Sequence, residues 1–232
     1  PLTYLHCAGN QLTSLDVSNN TALEELNTQD NSLTSLDVSA NTALTELSCA
    51  GNNLTTQDVS NNTALTFLYN SENQLTSLDV SNNPLLTYLE IRGNQLTYLN
   101  MRNGVTDALT TFDATGNSLT CIETLDPDYA TANWTYANNN IDAGVTFADI
   151  CYASNPSYTY VPDDNFEQAL IDLGYDDTLD DYVHTANISV VTSLNVSQKE
   201  ISNLTGIEDF TSLTDLQCQG NQLTSLDVSN NT

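Results

Sequence analysis

Residues 2–22 read LTYLHCAGNQLTSLDVSNNTA, and residues 23–43 read LEELNTQDNSLTSLDVSANTA. The second stretch repeats the first with a period of 21. Leu2, Leu23, Leu44, Leu65 and Leu86 fall on this period, as do Leu5, Leu26, Leu47, Leu68 and Leu89. Asn10, Asn31, Asn52, Asn73 and Asn94 do the same, and a looser copy runs from Leu109 through Phe112, Ala114 and Asn117 to Leu119. Each period holds two stretches of alternating polarity, residues 4–7 and 14–17 in the first, which predict short strands with Leu5, Cys7, Leu15 and Val17 inward. One turn cannot bury its own apolar side, so successive turns must stack and share a continuous core. The expected fold is a solenoid, mainly β, of stacked short parallel strands with one short capping helix. Gln57 stands where the column has Leu and is expected to be a local weak point. The periodic Asn residues are expected to bond the backbone of adjacent turns as a ladder, with a second set at Asn20, Asn41, Asn62 and Asn83.

Composition narrows the function. The 232 residues carry 30 acidic and 3 basic side chains, a formal charge of −27. A polyanion of this kind repels phosphate backbones and anionic lipid heads, so nucleic acid is excluded as a partner. No apolar run is long enough to span a bilayer, so no membrane insertion is expected. The sequence opens at Pro1 with no initiator Met, and its start is expected to have been removed or to lie elsewhere.

The unit LxxLxLxxNxL followed by xxLDVSNNxx resembles leucine-rich repeats, in the short 21-residue bacterial form called IRREKO. Residues 161–191, beginning VPDDNFEQALIDLGYDDTLDDYVHTANI, read as a helical opening cap. An acid or amide among Asp163, Asp164 and Asn165 caps the helix, Phe166, Ala169, Leu170 and Leu173 form its apolar side, and Gly174 ends it. This segment resembles the one that opens secreted leucine-rich-repeat proteins of Bacteroidetes, and residues 121–151 resemble the one that closes them. The resemblance implies export and an extracellular or cell-surface location. It also implies an unusual order, with coils 1–120, the closing cap 121–151, a linker 152–160, the opening cap 161–191, and first coils 192–232.

The same register runs from Leu213 across the two ends of the sequence to Leu2. Three explanations stay open: one period of a tandem array, head-to-tail stacking of separate subunits, and a permuted chain. In the first two, Pro1, Leu2, Leu5, Leu226, Val228 and Thr232 form an assembly junction, because an uncapped solenoid end exposes apolar surface and strand edges.

Candidate chemistry is sparse. Cys121 and Cys151 flank the closing segment and are expected to form a disulfide. Cys7, Cys49 and Cys218 share one inward position; a buried apolar thiol is one reading, and a Cys218–Cys7 bond across the junction is the other. Asp227, Asp16, Asp37, Asp58 and Asp79 share one outward position, where repulsion needs relief from salt, cations or hydrogen bonds of flanking Ser and Thr. Asp176, Asp177, Asp180 and Asp181 are a candidate calcium set, although the DxDxDG order is absent; a solvated turn is the alternative. Thr178, in Asp177-Thr178-Leu179, resembles the O-glycosylation acceptor of Bacteroidetes proteins. His6 and His184 are the two histidines, and no catalytic order stands out, so no enzyme and no cofactor beyond calcium is expected.

The first strand face varies while the second is nearly uniform. Tyr4, Phe67, Tyr69 and Tyr88 stand outward among acids and form the expected partner face. These features predict the structural unit of an extracellular filament or tandem-repeat adhesin, whose partners are copies of itself. A recognition module for a surface protein or glycan is the alternative, and an ice- or mineral-binding surface a lesser one.

Overall fold

The computed structural model describes residues 1–231, so Thr232, assigned to the expected junction, lies outside the described residues. The chain divides into two compact units, residues 1–154 and residues 155 onward.

In the first unit, the leading strand of each coil is three residues long. These are β1 (Tyr4–His6), β2 (Glu25–Asn27), β3 (Glu46–Ser48), β4 (Phe67–Tyr69), β6 (Tyr88–Glu90) and β8 (Thr111–Asp113). They pair in parallel in the order β1-β2-β3-β4-β6-β8. Their register puts Leu5, Leu26, Leu47, Leu68, Leu89 and Phe112 in one inward column. From Leu26 onward these side chains are buried, together with columns such as Leu23, Leu44, Leu65 and Leu86. Each fully buried Leu contributes about 1.5–3 kcal/mol, and the period delivers several per coil.

The trailing face is less regular than the alternation predicts. A parallel sheet forms only from β5 (Ser77–Asp79) through β7 (Tyr98–Met101) and β9 (Cys121–Thr124) to β10 (Thr146–Ala148). Residues 14–16, 35–37 and 56–58 form no strand, although Leu36, Val17 and Val38 still point inward. The ladder begins immediately after Gln57. Its Nε2 reaches the carbonyls of Leu36 at 3.5 Å and Asp58 at 3.3 Å, and its Oε1 is buried without a partner. A groove of about 340 Å³ opens beside it, between Thr56–Asp58 and Ser77–Asp79.

The Asn ladder carries the corners. Oδ1 of Asn52 accepts from Leu33 N–H, while its Nδ2 donates to the carbonyls of Thr28 and Cys49, all at 3.0 Å. Asn31, Asn73, Asn94 and Asn117 repeat this bridge. The second set uses only the donor half. Nδ2 of Asn62 donates to Val38 and Asn41 carbonyls, whereas the Oδ1 atoms of Asn41, Asn62 and Asn83 are buried without a partner.

The closing segment covers the end of the core. Helix α1 (Pro127–Asn133) is capped by Asp126, which accepts Tyr129 N–H at 2.9 Å. Trp134 follows it and packs on Phe112 at 4.5 Å and on Phe147 at 5.8 Å. Cys121 and Cys151 are joined as a disulfide.

The second unit begins within the segment expected as linker. Residues 158–160 are strand β11 (Tyr158–Tyr160), antiparallel to β12 (Tyr182–His184). Helix α2 (Asp164–Asp172) buries Phe166, Ala169 and Leu170. Leu173 does not join them: it is the C-cap residue and 45% exposed, because the helix ends before that turn can face inward. Asp163 caps α2 through Asn165 and Phe166 N–H, and its second oxygen takes Ser202 and Asn203 N–H. Helix α3 (Thr185–Ile188) then leads to the parallel pair β13 (Ser193–Asn195) and β14 (Asp215–Gln217). Stacked parallel strands, Leu columns and few helices make this chain a mainly β leucine-rich-repeat solenoid.

Candidate functional site

The six-stranded sheet presents two outward columns. One runs Tyr4, Glu25, Glu46, Phe67, Tyr88, Thr111; the other runs His6, Asn27, Ser48, Tyr69, Glu90, Asp113. Parallel pairing sets neighbours in a column roughly 4.8 Å apart. Phe67 and Tyr88 therefore stack, with centroids 4.1 Å apart and planes at 18°. The stack half-buries both rings, and Tyr69, beside Phe67, is also half-buried. Burial, with the neighbouring Glu90 carboxylate, pushes the Tyr88 hydroxyl up to about 12, so it stays a neutral donor. Tyr4 stands apart from this cluster behind Glu25 and Glu46, 55% exposed, and its hydroxyl donates to Glu24 at 3.1 Å. Three of the four expected partner-face aromatics thus form one patch, rimmed by Glu46, Glu90 and Asp113, and the fourth lies at the sheet edge.

The outward Asp residues of the trailing face are occupied by local turns. Oδ1 of Asp16, Asp37, Asp58, Asp79 and Asp227 each accepts the N–H of the Ser two residues on, at 2.8–2.9 Å. Bonds from Ser18, Ser39 and Ser60 hold Asp16, Asp37 and Asp58 below the usual carboxylate range. The flanking Ser, one of the reliefs expected, is present at every rung.

The four acids of the 176–181 turn do not converge. Asp177 accepts the Thr178 hydroxyl at 2.9 Å, and Asp180 accepts Tyr182 N–H at 3.1 Å. Among the described residues, no group of three His, Cys, Asp or Glu side chains forms a ready metal cage. The turn instead closes on Glu167, a residue the sequence reading passed over. Glu167 is fully buried, and its Oε1 accepts Asp180 N–H at 2.8 Å and Tyr182 N–H at 3.1 Å. A helical wheel carries the signal, since Glu167 follows Phe166 and precedes Leu170 by one turn on the inward stripe.

Cys49 is fully buried, and burial pushes its thiol far up; Cys7 and Cys218 are half-buried free thiols. The column from Cys7 continues as Thr28, Cys49, Asn70 and Ile91, so cysteines alternate with other residues there. No helix among the described residues is long and apolar enough to cross a membrane.

No family model matches the chain. A stretch of 73 residues, 32% of the chain, is 36% identical to Internalin J of Listeria monocytogenes serotype 4b (strain F2365) and covers 8% of that protein. Among solved structures, the functional domain of InlJ from Listeria monocytogenes, which includes a cysteine ladder, is 26% identical with a TM-score of 0.48. That match covers 100% of this chain and 56% of that one. The leucine-rich repeat domain of APL1B is 17% identical at a TM-score of 0.44, over 98% of this chain and 50% of that one. The chain thus spans a small part of the curated relative and about half the length of these solved domains.

Proposed function

We propose that this leucine-rich-repeat solenoid is a non-catalytic binding module, extracellular or at a cell surface, that takes a protein partner on the outward face of the six-stranded sheet. The observation that carries the reading is the Phe67–Tyr88 stack with Tyr69 beside it. Rigid parallel strands hold these rings in place, so little side-chain entropy remains to be lost on contact. Aromatic anchors inside a polar rim are the usual composition of an interface centre. The rim is acidic and the whole chain carries −27, which favours a partner with a basic surface. The Cys121–Cys151 disulfide supports an oxidising location.

The test is a defined panel of basic peptides and neutral glycans, probed with the whole chain and with Tyr69→Ala and Tyr88→Ala. Both substitutions should weaken binding to the best peptide by about tenfold or more, while Ser35→Ala on the trailing face leaves it unchanged. Binding that ignores both tyrosines overturns the assignment of the face.

A second reading is supported by the sheet edges. Strands β1 and β14 are terminal in their sheets, and Leu2, Leu226 and Val228 are 43–46% exposed. With the register that links Leu213 to Leu2, these edges suit continuation of the solenoid into another copy, as in a filament or a tandem adhesin. A flat ice- or mineral-binding ladder is less well supported, because the first three coils lack strand pairing on the trailing face and their Asp side chains are turned into local bonds.

A further inference from the structure

Helix α2 and the turn that follows it each hold one acidic oxygen with nothing to bind. Oε2 of Glu167 and Oδ2 of Asp176 are both buried, and neither has a hydrogen-bond partner. Glu167 is wholly enclosed, and its other oxygen already takes two backbone N–H groups of the turn, which fixes the carboxyl inside it. A buried carboxylate oxygen without a donor is strongly unfavourable unless a proton or a cation meets it. Burial pushes both groups up, and the Asp176 charge adds to the effect on Glu167. Two buried acidic oxygens without donors, one in the helix and one in the turn it leads into, make a place for positive charge.

We propose that this turn is a calcium site anchored by Glu167 and Asp176. The anchors differ from the four-Asp set that spacing alone suggested: Asp177 and Asp181 drop out, and an acid from the preceding helix enters. Hard cations take six to eight oxygens, so two carboxylates leave most positions to turn carbonyls, the Thr178 hydroxyl and water. The order of parts fits such a ligand set. Helix α2 leads into the turn, Asp176, Thr178 and Asp180 alternate along it, and Asp181 takes the left-handed conformation at φ 69. Strand β12 and helix α3 follow. In a calcium loop of the helix–loop–helix kind, the twelfth residue is a bidentate Glu. Here the twelfth is Asn187, whose Nδ2 donates to the Tyr175 carbonyl at 3.0 Å, and a neutral amide oxygen replaces the bidentate carboxylate. The site is therefore a weak one, with Kd on the order of 10⁻⁴–10⁻³ M, the range of extracellular modules.

The test uses the whole chain stripped with EDTA, titrated with calcium chloride by calorimetry near neutral pH at about 0.15 M ionic strength, where diffuse attraction to the polyanion is screened. One saturable site per chain is expected, with a rise in melting temperature as it fills. Asp176→Asn should weaken it by about tenfold or more, and Asp177→Asn should leave it within about twofold. Glu167→Gln should abolish it. If that variant does not fold, Asp176→Asn against Asp177→Asn still decides the matter. Calcium uptake that is unsaturable, or insensitive to Asp176→Asn, overturns the proposal. So does a chain stabilised by mild acid but not by calcium, because the two carboxyls then share a proton instead.

Discussion

A single Asn illustrates how much each rung of the ladder carries. Asn52 satisfies three buried backbone groups in two adjacent coils: Leu33 N–H and the Thr28 carbonyl in the previous coil, and the Cys49 carbonyl in its own. Asn62 satisfies two carbonyls and leaves its own oxygen idle. Removing a partner strands the groups it served, at about 1–3 kcal/mol for a buried donor or acceptor. Asn52→Ala should therefore lower stability by about 2–4 kcal/mol, and Asn62→Ala by less, since that change also deletes an unpaired buried oxygen. Urea unfolding of the two variants, compared at equal m-value, checks the order. Equal losses would mean that the side chains act as spacers and not as bridges. Conformation makes a further demand at one residue nearby: Gly51 sits at φ +67, and an added Cβ would fall 2.6 Å from Oδ1 of Asp30 in the previous coil.

At the scale of elements, Gln57 sits in the last coil before the second sheet begins. Its amide holds the carbonyls of Leu36 and Asp58 weakly, and its Oε1 is buried without a donor. Gln57→Leu restores the column that Leu36 and Leu78 define, removes the orphan oxygen, and should stabilise the chain by about 1 kcal/mol. A raised urea midpoint checks it; a lowered one would show that the amide bridge outweighs the orphan atom. Periodicity reports that Gln57 sits in the Leu column, and not what its polar atoms find there. The leading strands were legible for a simple reason: Leu5, Leu26 and Leu47 recur in step with parallel register, and period and pairing are the same constraint. The trailing strands were over-read, since Ser14–Val17 alternates like a strand while its backbone forms no ladder. Alternation fixes which way side chains point, and pairing needs the neighbouring backbone as well. The aromatic patch was partly legible: outward positions followed from alternation, whereas the Phe67–Tyr88 stack needed the strand spacing. Glu167 was hidden because an acid in an apolar helix stripe reads as solvent-facing until the turn that encloses it is seen.

At the scale of the molecule, charge and exposed edges oppose one another. A net −27 makes each chain repel another at long range. Leu2, Leu226 and Val228, with the edges of β1 and β14, attract only at contact. The Debye length falls from about 30 Å at 0.01 M salt to about 3 Å at 1 M, so salt removes the long-range barrier and leaves the short-range contact. Sedimentation of the whole chain should show association that grows with protein concentration and with sodium chloride, and Leu226→Glu should suppress it at every salt level. The salt direction separates this edge contact from pairing between opposite charges, which salt weakens. With 3 basic residues against 30 acidic ones, the chain has few charges with which to attract its own copies. A species that stays monomeric at high salt and high concentration would leave the aromatic face, and not the edges, as the surface through which the solenoid meets its partners.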